Sequence, residues 1–471
     1  MPAGATRFCR MLYDDTIAAI ATPPGEGGIG IVRISGRDAL KILERIFVPV
    51  RPGRWKPYQM RYGRVVDQNG AVVDEALAVF MRGPRSFTAE DTAEISVHGG
   101  PLVVERVLQQ ALAAGARAAA PGEFTMRAFL NGRIDLAQAE ATLDIITART
   151  TTALALAEAQ LGGWLSQELH RIRDLLMDPL AYCTALVDFP EDEVDPQDIE
   201  TPLTAAVQAL DALVASAQHG IIYRQGARAA LIGRPNAGKS SLLNALLRVD
   251  RAIVTPIPGT TRDTLEETAS LGGVPVVLTD TAGIVESDDP VERLGVARSR
   301  QAVRLADLAL LVVDVSLPVA DDDREIVALT EEKRTILTLN KIDLIDADRS
   351  IIAARQREYE QIRGKAFDAM VTVSALTGQG LDELGATVAR LLLGAPIAAD
   401  GRLVTNARHR DALARAADHA RDALTGFQQG VSPDLLAVDL TAAINAIGEV
   451  TGESVGEDLL HAIFSRFCIG K

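Results

Sequence analysis

One octapeptide constrains this chain more than any other feature. Gly233-Arg234-Pro235-Asn236-Ala237-Gly238-Lys239-Ser240 follows the apolar run Ala230-Leu231-Ile232 and leads into Ser241-Leu242-Leu243-Asn244. The apolar run reads as a buried strand and the residues after Ser240 as the first turns of an amphipathic helix. Strand, glycine-bounded loop and helix in that order make a phosphate cradle. Gly233 and Gly238 let backbone N–H groups turn inward, Lys239 supplies a point charge to the β- and γ-phosphates, and Ser240 offers a hydroxyl to Mg²⁺. A chance glycine turn is the alternative, and the flanking strand and helix patterns argue against it.

The 471 residues suffice for roughly two to four domains, and 48% hydrophobic content fits a soluble globular class. No uninterrupted apolar stretch reaches membrane-spanning length, and no secretory apolar segment follows Arg7 and Arg10, so a cytoplasmic protein without a membrane partner is expected. Met11 is an alternative start, because patterned sequence begins only at Asp14. Cys9, Cys183 and Cys468 are far apart and odd in number, against a disulfide framework or zinc site. The formal charge of −15 opposes broad, non-specific polyanion binding, although residues 1–121 hold 15 Lys+Arg against 12 Asp+Glu.

Residues 14 to about 120 read as a compact α/β domain. Thr16–Ala21, Gly30–Ile34, Ala76–Met81 and Glu94–His98 have strand patterns, and Asp38–Ile46 and Leu102–Ala114 helix patterns. Arg33 interrupts an apolar strand, and Glu94, Ser96 and His98 share one strand face. They are either solvent-facing residues in local ion pairs or part of a ligand pocket. From Ile134 the chain turns helical, with Leu165, Leu169, Ile172 and Leu176 at helical spacing and a break expected near Gly162-Gly163 or Pro179. Leu203, Val207, Leu210 and Val214 restart a helix after an acidic connector, and three amphipathic helices follow Gly401. Two helical arms of like composition thus flank the nucleotide segment. The expected fold is an α/β multidomain protein: an N-terminal α+β domain (1–121), an α-helical domain in two parts (122–223 and 394–471), and an inserted doubly wound P-loop domain (224–393).

Within that insert, Gly259-Thr260-Thr261-Arg262-Asp263, Asp280-Thr281-Ala282-Gly283, Asn340-Lys341-Ile342-Asp343 and Ser374-Ala375 occur in the order of GTP-binding switch proteins. Thr261 would reach Mg²⁺ when a γ-phosphate holds its loop, Asp280 would meet the same ion through water, and Gly283 would offer its N–H to that phosphate. Asp343 can accept two hydrogen bonds from guanine N1 and N2, a pairing adenine cannot make, so GTP is the expected nucleotide. Ile284 stands where many such enzymes carry a water-orienting glutamine. Glu292 is close enough in sequence to replace it, or is a helix-start surface residue. Arg262 lies in the first switch, but no arginine finger is fixed by sequence. Asn236 could hold a monovalent cation against the phosphates.

These motifs, with Asp15-Thr16-Ile17-Ala18, Ala21-Thr22-Pro23-Pro24-Gly25, Gly99-Gly100-Pro101, Pro121-Gly122-Glu123-Phe124, Asp135-Leu136-Ala137-Gln138-Ala139-Glu140, Asp188-Phe189-Pro190 and Phe467-Cys468-Ile469-Gly470-Lys471, resemble the tRNA-modification GTPase family MnmE, also called TrmE. The likeness covers the chain beyond Asp14. It implies an N-terminal folate-binding and dimerisation domain, a split helical domain and an inserted G domain. It also implies a homodimer that works with a flavin-dependent partner, MnmG (GidA), which carries FAD, in a heterotetramer. That assembly would add an aminomethyl or carboxymethylaminomethyl group to C5 of the wobble uridine of certain tRNAs. Position by position, the resemblance gives Arg33, Glu94, Arg133 and Lys471 as contacts to 5,10-methylenetetrahydrofolate or 5-formyltetrahydrofolate, with Arg133 where the family commonly has lysine. It gives Asn236, Thr255, Ile257 and Thr260 around K⁺, Ser240 and Thr261 on Mg²⁺, and Pro256 and Pro258 beside the nucleotide. It casts Glu292 as an aid to water and Cys468 as the family's carboxy-terminal cysteine. A ribosome-assembly switch GTPase that binds RNA without modifying it is the competing expectation, and what flanks the G domain discriminates between the two.

Overall fold

The computed structural model describes residues 15–189, 195–249, 266–280, 300–346, 348–394 and 402–470. They form two compact units. The first comprises Met1–Leu143, Leu161–Leu203 and Asp418–Lys471, and the second Asp144–Gln160 and Thr204–Ala417.

The first unit opens with a seven-stranded sheet. Its strands are β1 (Ile17–Ile20), β2 (Ile29–Ser35), β3 (Phe47–Pro49), β4 (Arg61–Val66), β5 (Val72–Met81), β6 (Thr92–His98) and β7 (Arg117–Ala118). They lie in the order β3-β4-β5-β6-β2-β1-β7, antiparallel except for β1 with β7. The expected strands are present. β3 and β4 escaped the sequence reading because glycine, proline and arginine break up their alternation. Helix α1 (Ala39–Ile46) buries Ala39, Ile42, Leu43 and Ile46, one stripe at helical spacing. Helix α2 (Pro101–Ala113) starts with proline at a position whose N–H needs no helical partner. Both cover the sheet face bearing Val32, Ile34, Ile95 and Val97.

Helix α3 (Glu123–Leu130) begins at Gly122, whose left-handed backbone has no room for a side chain: a Cβ would stand 2.6 Å from Phe464 O. Helices α4 (Leu136–Thr147), α5 (Thr151–Leu161) and α6 (Trp164–Asp188) follow. The break expected at Gly162-Gly163 or Pro179 falls at the glycines, and α6 runs on through Pro179. α7 (Glu200–Gln225) leads into the second unit.

There β8 (Ala227–Ile232), β9 (Glu266–Leu271), β10 (Val274–Asp280), β11 (Leu308–Asp314), β12 (Thr335–Asn340) and β13 (Ala369–Thr372) form a sheet in the order β13-β12-β11-β8-β10-β9, parallel except for the β9–β10 hairpin. Helices α8 (Lys239–Val249) and α11 (Leu381–Leu393) border one apolar core, and α9 (Asp321–Ala328) and α10 (Arg349–Arg363) the other, which is the doubly wound arrangement. The first core also takes Leu156 from α5, Tyr223 from α7 and Leu403. The hairpin turns on Gly272 and Gly273, both at positive φ. A Cβ on Gly273 would stand 2.6 Å from Thr152 Oγ1, and Thr150 Oγ1 donates to Gly273 O at 3.0 Å.

Helices α12 (Ala407–Gln428), α13 (Pro433–Thr451) and α14 (Glu457–Phe464) close the described chain. α13 packs along α6 within the first unit, with Arg173 Nη1 on Glu453 Oε2 at 2.7 Å. Leu435, in the first turn of α13, is exposed. Leu460, Ile463, Phe464 and Phe467 pack against Met126, Phe129 and Leu136, carrying the carboxy-terminal tail to the N-terminal sheet.

An ion network centred on the buried Arg127 and Glu123 holds that region. Arg127 Nη2 donates to Asp15 Oδ1 at 2.5 Å and to Glu123 Oε1 at 2.9 Å, and Arg117 Nη2 meets the same Glu123 oxygen at 2.6 Å. Burial alone would raise the Asp15 and Glu123 carboxyls, but hydrogen bonds from Arg117 and Arg127 outweigh it and hold both below their ordinary values. A carboxylate lowered on folding adds stability above its unfolded pKa, about 4, and loses it as pH falls through the folded value. Glu123→Gln is expected to cost about 2–3 kcal/mol of local stability. Amide exchange across α3 measures it: protection should fall at pH 7, and its further loss below about pH 4 should be shallower than in the wild type.

Candidate nucleotide site and a second polar cluster

The phosphate loop joins β8 to α8, at the end of the sheet where parallel strands leave their carboxyl termini. Gly233, Asn236 and Gly238 have φ of 153°, 64° and 93°, the left-handed geometry that turns successive N–H groups to one side. Space is tight there. A Cβ on Gly233 would stand 2.2 Å from Val312 O, and one on Gly238 would stand 2.3 Å from Asn340 Nδ2. Lys239 is buried, and its ammonium donates to Gly233 O at 2.8 Å and Arg234 O at 2.9 Å. Burial lowers its pKa, while the charge of Asp280 acts in the opposite direction.

Four strand ends converge on this loop. From β10, Asp280 Oδ2 accepts from Ser240 Oγ at 2.7 Å, and Asp280 Oδ1, a buried atom, has no hydrogen-bond partner among the described residues. From β12, Asn340 Nδ2 donates to Ala237 O at 3.0 Å and its Oδ1 accepts from Ala375 N at 3.1 Å. The ammonium of Lys341 lies between Asn236 O (2.8 Å) and Asp314 Oδ2 at the end of β11 (2.7 Å). Burial would push Asp314 up, but Lys341 and Ser316 hold it below the ordinary carboxylate value. Beyond β13, Ser374 Oγ donates to Asp343 Oδ1 at 2.5 Å. A cavity of about 660 Å³ opens between these groups, lined by Gly238, Ser241, Arg248, Asp343, Ala375 and Leu376 among others. It suits a flat heterocycle beside a phosphate cradle.

Asn236, Ala237, Gly238, Lys239, Ser240, Ser241, Asp280, Asn340, Lys341, Asp343, Ser374 and Ala375 are therefore brought together. Thr255, Pro256, Ile257, Pro258, Gly259, Thr260, Thr261 and Arg262 lie outside the described residues, as do Thr281, Ala282, Gly283, Ile284 and Glu292. The Ser240 hydroxyl and the Asp280 carboxylate, with one oxygen unpartnered, fit a hard cation such as Mg²⁺. Asp314 and Arg248 were missed. Asp314 ends an apolar strand, a signal that could have found it, whereas Arg248 reads as an ordinary helix-end cation.

A second cluster lies in the first unit. Arg33 on β2 and Glu94 on β6 are register partners, joined at 2.8 Å. Arg33 Nη1 also donates to Gly470 O at 3.3 Å, and its guanidinium stacks on Phe87 (5.5 Å) and Phe124 (5.7 Å). Arg133 stacks on Phe87 at 5.1 Å and donates to Phe87 O at 2.6 Å. The local ion pair therefore exists, and it sits among two rings and a second cation. Phe87, which both arginines share, carried no periodic signal. Cys468 is exposed, with its carbonyl 3.4 Å from Gly122 N; Lys471 lies outside the described residues.

The two units thus contain a P-loop nucleotide-binding fold and an N-terminal sheet with a cationic, aromatic cluster. The family of the MnmE helical domain matches residues 136–468, and that of the GTP-binding protein TrmE N-terminus residues 16–133. The tRNA modification GTPase MnmE of Roseiflexus castenholzii is 84% identical over 98% of this chain and 100% of its own length. That of Chloroflexus aurantiacus is 56% identical over 97% and 100%. Among solved structures, Aquifex aeolicus Era bound to GDP.AlF4- is 27% identical over 41% of this chain and 66% of its own, with a TM-score of 0.30. The chain belongs to the MnmE family of tRNA modification GTPases. The flanking N-terminal and helical matches are the discriminator the sequence called for, and they set aside the ribosome-assembly expectation. Among the described residues no helix is long and apolar enough to cross a membrane.

Proposed function

We propose that this chain hydrolyses GTP to drive modification of the wobble uridine of certain tRNAs. It would act in the cytoplasm as a homodimer, in a heterotetramer with the FAD-carrying partner MnmG, and add an aminomethyl or carboxymethylaminomethyl group at C5. The observation that carries the nucleotide assignment is Asp343, oriented by Ser374 at the wall of a cavity that opens on the phosphate loop. One carboxylate there accepts from both guanine N1–H and N2–H, and adenine offers no such pair. Lys239 would bind the β/γ-phosphates, and Ser240, Asp280 and Thr261 would hold Mg²⁺, which neutralises charge developing on the transferred phosphoryl group.

Asn236 has a left-handed backbone and a side chain with no hydrogen bond among the described residues, which leaves its oxygen available to K⁺. Thr255, Ile257 and Thr260 would complete that site, with Pro256, Pro258 and Gly259 beside the nucleotide. Glu292 would orient water, and Arg262 would add charge in the first switch. Arg33, Glu94, Arg133 and Lys471 would contact the folate whose one-carbon unit is transferred, with Phe87 offering a ring to stack on. Cys468, exposed beside that cluster, would serve the same chemistry. In this division of labour residues 1–121 bind folate and dimerise, 122–223 and 394–471 form the helical domain, and 224–393 form the G domain.

Three outcomes test the reading. Asp343→Asn should weaken GTP binding by about 3 kcal/mol, roughly two orders of magnitude, in a fluorescent-nucleotide titration; unchanged affinity removes the guanine assignment. GTP hydrolysis should be faster in K⁺ than in Na⁺ at equal ionic strength, and equal rates would remove Asn236 as a cation ligand. Calorimetry with 5-formyltetrahydrofolate should show binding to the wild type and at least about a tenfold loss in Arg33→Ala, since that charged contact is worth about 1.5–3 kcal/mol. Full binding by the variant would take folate away from this cluster.

A further inference from the structure

From Arg45 to Val66 the chain carries six cations, Arg45, Arg51, Arg54, Lys56, Arg61 and Arg64, and no Asp or Glu, in a protein of formal charge −15. The segment includes edge strand β3 and the loop to β4. Arg61 organises that loop from inside. Its Nη1 donates to Gly53 O at 2.9 Å, its Nη2 donates to Arg51 O, and its guanidinium covers the Trp55 ring at 5.0 Å. Trp55 rests in turn on Phe47, 5.7 Å between centroids. Tyr58, held at a left-handed φ of 62°, donates its N–H to Phe80 O at 2.8 Å and its hydroxyl to Arg82 O and Arg85 O. That tether sets the turn carrying Arg82 and Arg85 beside the loop carrying Arg51, Arg54 and Lys56. All five of these cations are exposed, and none makes an ion pair among the described residues. Between them Tyr58, Met60 and Tyr62 are each more than half exposed.

Protection of an edge strand from pairing with other chains calls for a charge or a proline, and Pro49 and Pro52 already meet that need. Five unpaired cations interleaved with aromatic rings exceed it. Their chemistry matches a polyanion with flat, unstacked bases: cations for phosphates, rings for stacking. We infer that the β3–β4 loop, with the Arg82–Arg85 turn tethered to it, is a docking surface for the sugar–phosphate backbone and unstacked bases of the RNA substrate. The inference rests on the tRNA reading above and adds to it the surface that would engage the RNA.

The test uses full-length protein and an unmodified tRNA transcript, with binding followed by fluorescence anisotropy between 50 and 200 mM KCl. Each phosphate contact contributes about 0.7–0.9 to the slope of log affinity against log salt. The triple variant Arg51→Ser, Arg54→Ser, Lys56→Ser should lose at least about tenfold in affinity at the low-salt end, with a slope shallower by about 2–3. Its GTP hydrolysis should remain at the wild-type rate. The charge-keeping triple Arg51→Lys, Arg54→Lys, Lys56→Arg should restore affinity and slope together. Wild-type affinity and slope in the serine variant overturn the surface and leave the tRNA reading standing; no tRNA binding by the wild type overturns both. A serine variant that changes sedimentation but not tRNA binding makes the loop a protein contact and ends the inference.

Discussion

One carboxamide holds the nucleotide unit in working order. The side chain of Asn340, fully buried, donates to Ala237 O in the phosphate loop and accepts from Ala375 N beyond β13. Its amide nitrogen would stand 2.3 Å from a Cβ on Gly238, so the loop needs glycine there to approach it. The loop that would meet phosphates and the loop that would meet a base are thus fixed to one another through a neutral group. An ion in the same place would carry a desolvation cost and perturb the charges of Lys239 and Asp280 nearby. The charged work is placed one residue along, where Lys341 lies between Asp314 and Asn236 O.

The first unit solves a related problem with charge. Asp15, Arg117, Glu123, Arg127 and Glu90 tie the start of the sheet to α3, and Phe464 of α14 and Phe467 cluster with Met126 and Phe129 of that helix. The tail is thereby carried back to β2, where Arg33 donates to Gly470 O. The Arg33–Glu94 pair is built from directly opposed strand residues, a position where opposite charges support the sheet. It is also open enough, with Phe87 and Arg133 beside it, to be more than a structural pair.

What the sequence made legible was set by short-range backbone chemistry. Gly233 to Ser240 and Asn340 to Asp343 could be read because each packs its function into a few adjacent residues between recognisable elements. The doubly wound order followed from the alternation of strands and helices. Asp314, Arg248 and Phe87 were missed because their roles depend on partners far away in sequence: Lys341 lies 27 residues from Asp314, and Arg33 lies 54 residues from Phe87. β3 and β4 were missed because Gly63, Pro49 and two arginines obscure the period-two signal on which strand reading depends. The switch residues Thr261, Gly283 and Glu292 were read from motif and resemblance alone.

The nucleotide unit draws its apolar core from both ends of a long stretch of chain: Leu156 from α5, then the sheet, then Leu403. Chain order makes this a matter of timing. As the protein emerges from the ribosome, α5 is made long before the β9–β10 hairpin that Thr150 grips, and the residues around Leu403 come last of all. A core assembled from contacts so distant in sequence forms late and leaves apolar surface exposed while it waits. A nascent chain halted at Leu393 would already hold every described strand of the sheet and the phosphate loop, yet lack Leu403, a residue of one of its apolar cores. The apolar core of the nucleotide unit is therefore completed only after the ribosome has moved past the sheet, into the second helical arm.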